Sequence, residues 1–270
     1  MASQGRRREF AVPQEPLCET AALRYFRRMT QARPNWTDHA QRDSAGGIPV
    51  VIGTGGTGGT LLLIHGRNGA PHQPHIAEIA AAYLARGWRV IAPELPHSSA
   101  LPSSGPPSDV TLAGHTAAAR QVLHWIRSSE PETPVALAGH SIGGYTVGRL
   151  SCEPGLHHIL AVSPVLSGPA LLAARRAMGP DAMAELDREA PAYRAELETA
   201  DAAPVLAGST APVAVVTGAE DGLVTLDHAR AWFAAAPGAR FFAALPGLHH
   251  CPEGPACATA LAAAIDVLDP

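Results

Sequence analysis

Gly139-His140-Ser141-Ile142-Gly143, extended by Gly144, sets a serine between glycines two residues before it and two after. Serine is a weak nucleophile at neutral pH. Covalent chemistry at Ser141 therefore requires a histidine placed to take its proton and a third group to orient that histidine. The pattern works only where a strand turns sharply into a helix, because the glycines lie where a side chain would collide with neighbouring backbone. Here an apolar run at 135–138 leads in and a helical stretch at 143–150 leads out. Ser141 is thus expected in a strained backbone conformation at the start of a helix, with its hydroxyl exposed.

Other residues invite other chemistries. The stretch 53–59, Gly-Thr-Gly-Gly-Thr-Gly-Gly, could be taken for a phosphate loop. It lacks the closing Gly-Lys-Ser/Thr and runs into a strand where that loop needs a helix, so it is expected as a mobile hairpin or turn between strands. Cys251 adjoins His249 and His250, but the spacing fits none of the common zinc patterns and no second cluster completes a tetrahedron. No metal and no organic cofactor is expected, and Cys18, Cys152, Cys251 and Cys257 read as free, mostly buried thiols. Arg67 has a planar fork suited to a substrate carboxylate, and reads equally as a solvated loop side chain.

The elements that must position these groups follow from the hydrophobic pattern. Short apolar runs at 48–52, 60–64, 89–92, 135–138, 159–162, 213–217 and 239–245 read as strands. Helical stretches at 76–85, 116–126, 143–150, 226–235 and 257–268 alternate with them. Strands buried in continuous apolar runs between helices of about ten residues describe crossover units, hence an α/β chain with a mostly parallel sheet covered on both faces. Residues 168–207 break the rhythm with two helices, 171–178 and 182–199, the second interrupted at Pro191, and read as a cap over the sheet edge. A further helix is expected at 20–32. The organisation expected is an N-terminal extension, 1–47, and one domain, 48–270, with 168–207 inserted as the cap.

From 59 to 268 the chain resembles the α/β-hydrolase superfamily, on the strength of the serine motif in its strand-turn-helix setting. The resemblance implies an acid and then a histidine after the serine. Gly218-Ala219-Glu220-Asp221 is similar to the family's Gly-x-x-Asp beyond a late strand and nominates Asp221, with Glu220 as rival. Leu245-Pro246-Gly247-Leu248-His249-His250 looks like the family's closing loop; it nominates His250, or His249 if the loop is one residue tighter. The family's oxyanion hole maps onto the N–H of Ile142 and, through His65-Gly66-Arg67, the N–H of Arg67, with His65 a structural histidine. Where many members have Asp-x-x-Gly-His-Gly, this chain reads Pro93-Glu94-Leu95-Pro96-His97-Ser98, so the loop path there must differ. His97 could line the mouth of the site but reads more readily as a plain loop histidine; His115 reads as structural or solvent-exposed.

Composition narrows the function. The 270 residues carry a formal net charge of -4, so no global field favours a nucleic acid or an anionic membrane. Arg7-Arg8 superficially resembles an export signal but is not followed by an apolar stretch, and no run of about 18 apolar residues suggests a spanning helix. The expectation is a soluble, cytoplasmic enzyme, compatible with a homo-oligomer, that acts on a small or medium ester, lactone or thioester. The alternatives are carbon-carbon bond hydrolysis on the same scaffold and a non-catalytic small-molecule binding protein. In the cap, Leu166, Leu171, Leu172 and Met178 either face the pocket or seat the cap on the core.

Overall fold

The structure, a computed structural model, describes residues 35–270. The expected helix at 20–32, Cys18 and the Arg7-Arg8 stretch lie outside the described residues. The chain from Asn35 to Pro270 forms one compact unit. Its sheet has the strands β1 (Gln41–Ala45), β2 (Ile48–Gly53), β3 (Gly59–Ile64), β4 (Trp88–Pro93), β5 (Val135–His140), β6 (Leu156–Val162), β7 (Val213–Gly218) and β8 (Ala239–Leu245), in spatial order β1-β2-β4-β3-β5-β6-β7-β8. β1, β2 and β4 pair antiparallel; every pairing from β4 through β3 to β8 is parallel.

β1 starts the sheet ahead of the expected first strand. It is a polar edge strand whose residues are exposed except Ala45. It is held by the two-residue turn Gly46-Gly47, whose φ values of 63° and 95° suit the mirror-image turns of hairpins. The glycine-rich stretch after β2 is a turn but not a hairpin. β2 and β3 both flank β4, so this stretch crosses the end of β4. A Cβ on Gly55 would lie 2.2 Å from the Trp88 carbonyl oxygen. Glycine here allows backbone to pass backbone, and no phosphate needs to be invoked.

Helices α1 (Pro74–Leu84) and α9 (Pro255–Leu268) cover one face of the sheet; α2 (Leu112–Ser129), α3 (Ile142–Leu150) and α8 (Leu226–Ala235) cover the other. Alternation along β3 shows the two-sided burial: Leu61 and Leu63 join one core, Leu62 and Ile64 the other, all at 0% exposure. Truncating one of them to alanine costs about 2–5 kcal/mol. No helix among the described residues is long and apolar enough to cross a membrane.

The interruption of alternation is helical, as the pattern indicated: α4 (Gly168–Ala177), α5 (Pro180–Glu189), α6 (Pro191–Glu196) and α7 (Ala203–Leu206). Pro191 divides α5 from α6 because it cannot donate to the helix ladder and disfavours helical geometry at Ala190, which sits at φ -149°, ψ 62°. The ends of this cap meet. Ser167 and Asp201 form an isolated antiparallel bridge, Gly168 N–H donates to the Ala200 carbonyl at 2.8 Å, and Ala202 N–H donates to that of Leu166 at 2.9 Å. Leu172 is buried and Leu166 nearly so, both in the core beneath the cap, while Met178 is 60% exposed.

Candidate active site

The carboxyl ends of β3, β5, β7 and β8 converge on one rim, and each is followed by a loop bearing one of the expected residues. Ser141 stands between β5 and α3 with φ 58° and ψ -119°, a conformation that L-residues adopt only under constraint. The constraint is close backbone packing. A Cβ on Gly139 would lie 2.2 Å from the Gly143 carbonyl oxygen, and one on Gly143 would lie 2.1 Å from that of Ile64. The turn is pinned by Ser141 N–H donating to the Val162 carbonyl (3.1 Å), and by Ser141's own carbonyl accepting from Gly144 (2.9 Å) and Val165 (3.1 Å).

Ser141 Oγ lies 2.9 Å from His250 Nε2, and His250 Nδ1 lies 2.8 Å from Asp221 Oδ2. An ionised carboxylate only accepts hydrogen bonds, so Nδ1 carries the proton and Nε2 is free to take one from the serine. The Asp221 side chain is fully buried. Its other oxygen accepts from the N–H groups of Leu223 and Val224, each at 2.8 Å, which fixes the carboxylate and compensates its desolvation.

Two adjacent histidines left the register open; the fold places them differently. Ala219 N–H donates to the Leu245 carbonyl (2.9 Å) and Glu220 N–H to that of Leu248 (3.0 Å). Glu220 Oε1 accepts from Gly247 N–H at 3.1 Å, and His249 Nδ1 donates to the Glu220 carbonyl at 2.9 Å. The acid loop and the base loop are therefore zipped together, which turns His249 outward and His250 inward. Gly218 permits this crossing, since a Cβ there would fall 2.2 Å from the His249 carbonyl oxygen. Glu220, the rival acid, is spent in the zipper.

His140 reinforces the arrangement. Its Nε2–H donates to the His250 carbonyl at 2.8 Å, and its ring centroid lies 5.0 Å from that of His250. Burial, with His250 and His75 adding to it, holds the His140 pKa well below the usual imidazole range, so the ring is neutral. His65 has the structural role expected of it. Its Nδ1–H donates to the Gly66 carbonyl (2.8 Å) and its Nε2 accepts from Leu95 N–H (3.2 Å), while burial pushes its pKa down to about 3. The loop it orders carries Arg67. Neither the Arg67 N–H nor the Ile142 N–H has a hydrogen-bond acceptor among the described residues.

The site opens into a cavity of about 180 Å³, small beside the roughly 300–1,000 Å³ of most ligand pockets. Ser141 and His250 line it, with the Arg67 side chain, Arg175 and Leu171 of α4, and Tyr193 of α6. Arg67 is 9% exposed and its guanidinium carbon sits 5.7 Å from the Tyr193 ring centroid, so it is not a solvated loop side chain. Arg175 and Tyr193 escaped the sequence reading because nothing local marks a cap residue as pocket-facing. His228 escaped it too; its Nε2 accepts from Leu166 N–H (2.9 Å) and Ser167 N–H (3.1 Å), which ties α8 to the start of the cap.

His97 does not line the cavity; it packs where Gly105 leaves room for its ring. His115 is buried, with Nε2 donating to the Pro96 carbonyl at 3.0 Å. Glu94 turns to Arg42 of β1, 2.7 Å away. Among the described residues the thiols of Cys152, Cys251 and Cys257 are free, and of these three Cys257 alone is buried. Cys152 follows α3 and Cys251 lies in the base loop, and both are exposed because loop positions offer them no core. Among the described residues, the donor atoms of His75, His140 and Cys251 lie within 4.8 Å of one another, a spacing that a metal ion could use.

The family described as alpha/beta hydrolase fold matches residues 59–171, from β3 into α4. No curated protein matches the sequence. Solved structures share the architecture at low identity. Est1E from Butyrivibrio proteoclasticus, also solved with ferulic acid bound, aligns with a TM-score of 0.67 at 17% identity, covering 85% of this chain and 98% of that one. TT1662 from Thermus thermophilus aligns at 0.63 and 22% identity, covering 85% and 97%. A bacterial membrane phospholipase A aligns at 0.60 and 15% identity, covering 85% and 86%.

Proposed function

We propose, on the premise that this chain is an α/β-hydrolase by its fold and its matched segment, that it is a serine hydrolase cleaving a small carboxylic ester, lactone or thioester through an acyl-enzyme on Ser141. The observation that carries the reading is the unbroken relay from Ser141 Oγ through His250 to a buried, doubly held Asp221. A non-catalytic binding protein has no need of such a relay. A protein named phospholipase A on the same fold is in keeping with ester cleavage.

The steps follow from the geometry. His250 Nε2 takes the hydroxyl proton as Ser141 Oγ attacks the substrate carbonyl carbon, and Asp221 stabilises the imidazolium that forms. The carbonyl oxygen becomes an oxyanion received by the N–H groups of Ile142 and Arg67; losing one such donor costs about 3–4 kcal/mol of barrier. The imidazolium returns its proton to the departing alkoxide or thiolate. Water, deprotonated by the same nitrogen, then releases the acid and restores the serine.

The test is labelling with a fluorophosphonate probe, read by intact mass and peptide mapping, on the parent protein and on folded Ser141→Ala, His249→Ala and His250→Ala variants. The expected result is one adduct on Ser141, absent in Ser141→Ala, strongly slowed in His250→Ala and retained in His249→Ala. A folded parent protein that takes no label would falsify the mechanism.

A further inference from the structure

The charge in the cavity is out of balance. The protein as a whole is acidic, with a formal net charge of -4. Its surface arginines commonly sit against carboxylates: Arg42 on Glu94 and Arg86 on Asp266, each at 2.7 Å, and Arg127 on Glu153 at 3.1 Å. The cavity beside Ser141 contains two arginines, Arg67 and Arg175, and no aspartate or glutamate in its lining. Neither arginine has an ion-pair partner among the described residues. Arg67 has only the face of Tyr193, and Arg175 donates only to the Ala182 carbonyl, at 3.2 Å.

Leaving a guanidinium this far from water without an anion is unfavourable. Burial lowers the Arg67 pKa, and the charge of Arg175 lowers it further, while Tyr193 and the carboxylates of Glu189 and Glu185 oppose them. Tyr193 itself is pushed up to about 12 by burial, so its phenol stays protonated and can donate. Two unpaired forks and a phenol thus face the space in which the substrate must lie. A planar carboxylate suits forks of this kind, because each can donate two parallel hydrogen bonds.

We propose that Arg67, Arg175 and Tyr193 form a subsite for a carboxylate carried by the substrate, so that the enzyme's preferred substrates are anionic esters, lactones or thioesters of small size. This rests on the hydrolase reading of the same site. Leu171 and Leu223, also in the lining, supply the apolar stretch between the anion and the reacting carbonyl. Arg67 serves twice, its backbone N–H toward the oxyanion and its side chain toward the carboxylate.

The experiment compares matched esters with and without the charge: monomethyl glutarate against methyl hexanoate, which carries it on the acyl side, and 4-acetoxybenzoate against 4-acetoxybenzamide, which carries it on the alcohol side. In at least one pair kcat/KM favours the anion by about tenfold or more, as charge-assisted hydrogen bonds imply. Arg175→Gln and Arg67→Met each reduce that ratio by about tenfold, chiefly through KM, whereas Arg176→Gln, at an exposed position on the same helix, preserves it. Calorimetry with glutarate reads the subsite without turnover; binding to the parent protein is lost in Arg175→Gln. Hydrolysis with no preference in either pair overturns the subsite and leaves the hydrolase standing. Glutarate binding without any hydrolysis or Ser141 adduct overturns the hydrolase and leaves the subsite standing. Inorganic phosphate binding more tightly than glutarate overturns the assignment to a carboxylate.

Discussion

The two walls of the cavity are built on opposite principles. On the side of β7 and β8, the polar groups that orient the triad are held before any ligand arrives. Asp221 is held by two N–H groups and His250, the loops around it are zipped through Glu220, and His140 pins the His250 carbonyl. On the side that faces α4 and α6, Arg67 of the loop after β3 and Arg175 of α4 have no ion-pair partner among the described residues. Groups that perform chemistry common to many substrates gain from fixed positions, since reorganisation at the moment of reaction costs rate. Groups that choose the substrate gain from being unsatisfied, since the ligand then supplies what is missing.

This contrast can be broken most directly at the triad. Ser141→Ala or His250→Ala should lower kcat/KM for any ester the protein turns over by roughly 10⁴-fold or more. His249→Ala should stay within about tenfold, because its ring bonds outward to the Glu220 carbonyl; equal losses at both histidines would mean that the zipper does not set the register. Asp221→Asn should reduce kcat by roughly 10³- to 10⁴-fold with KM little altered, read by steady-state kinetics at saturating substrate. A smaller effect is expected from Gly218→Val, which forces the base loop away from the Leu248 and His249 carbonyls. Urea titration should show about 2–3 kcal/mol of lost stability, with a parallel fall in kcat.

Acid should loosen the supports of the site. His65 is buried as the neutral ring with its pKa down to about 3, and His75 in the cavity wall is lowered to about 4, both mainly by burial. Their unfolded values are near 6.5, so below that pH the unfolded chain gains protons that the native protein refuses. Stability is therefore complete above about 6.5 and declines as pH falls toward 4, by on the order of 2 kcal/mol for His65 alone. Urea midpoints measured from pH 7 to pH 4.5 check this; a flat profile would mean that these rings are protonated in the native state. The smallest effect belongs to Glu220→Ala, which removes one exposed acceptor from the zipper and should cost about 1 kcal/mol or less.

How far the sequence disclosed this molecule follows from the range of the interactions concerned. The buried strands were legible because each is a continuous apolar run, as at Leu61 to Ile64. β1 was not, since its exposed residues carry no alternation; the Gly46-Gly47 turn was the available signal. The nucleophile turn was legible because its glycines answer local crowding. The choice between His249 and His250 was not, because it is made by Glu220 and Leu248 acting across two loops. Arg175 and Tyr193 were invisible for the same reason. Their meaning depends on which side of a cap helix faces the serine, and the adjacent Arg175 and Arg176 carry no local mark of which one turns inward.

The bridge between Ser167 and Asp201 bears on how such a protein can change. Because the cap departs from and returns to the same spot, its helices can lengthen, shorten or be exchanged without moving β6 or β7, and closing a loop of a different length costs little extra entropy. Arg175 and Tyr193 travel with that exchangeable segment, whereas Ser141, Asp221 and His250 stay behind on the sheet. The cap's share of the proposed anion subsite can thus be inherited apart from the Ser141 relay, while Arg67, on the loop after β3, stays with the sheet; the segment between Ser167 and Asp201 is the natural unit to transplant when a new specificity is wanted.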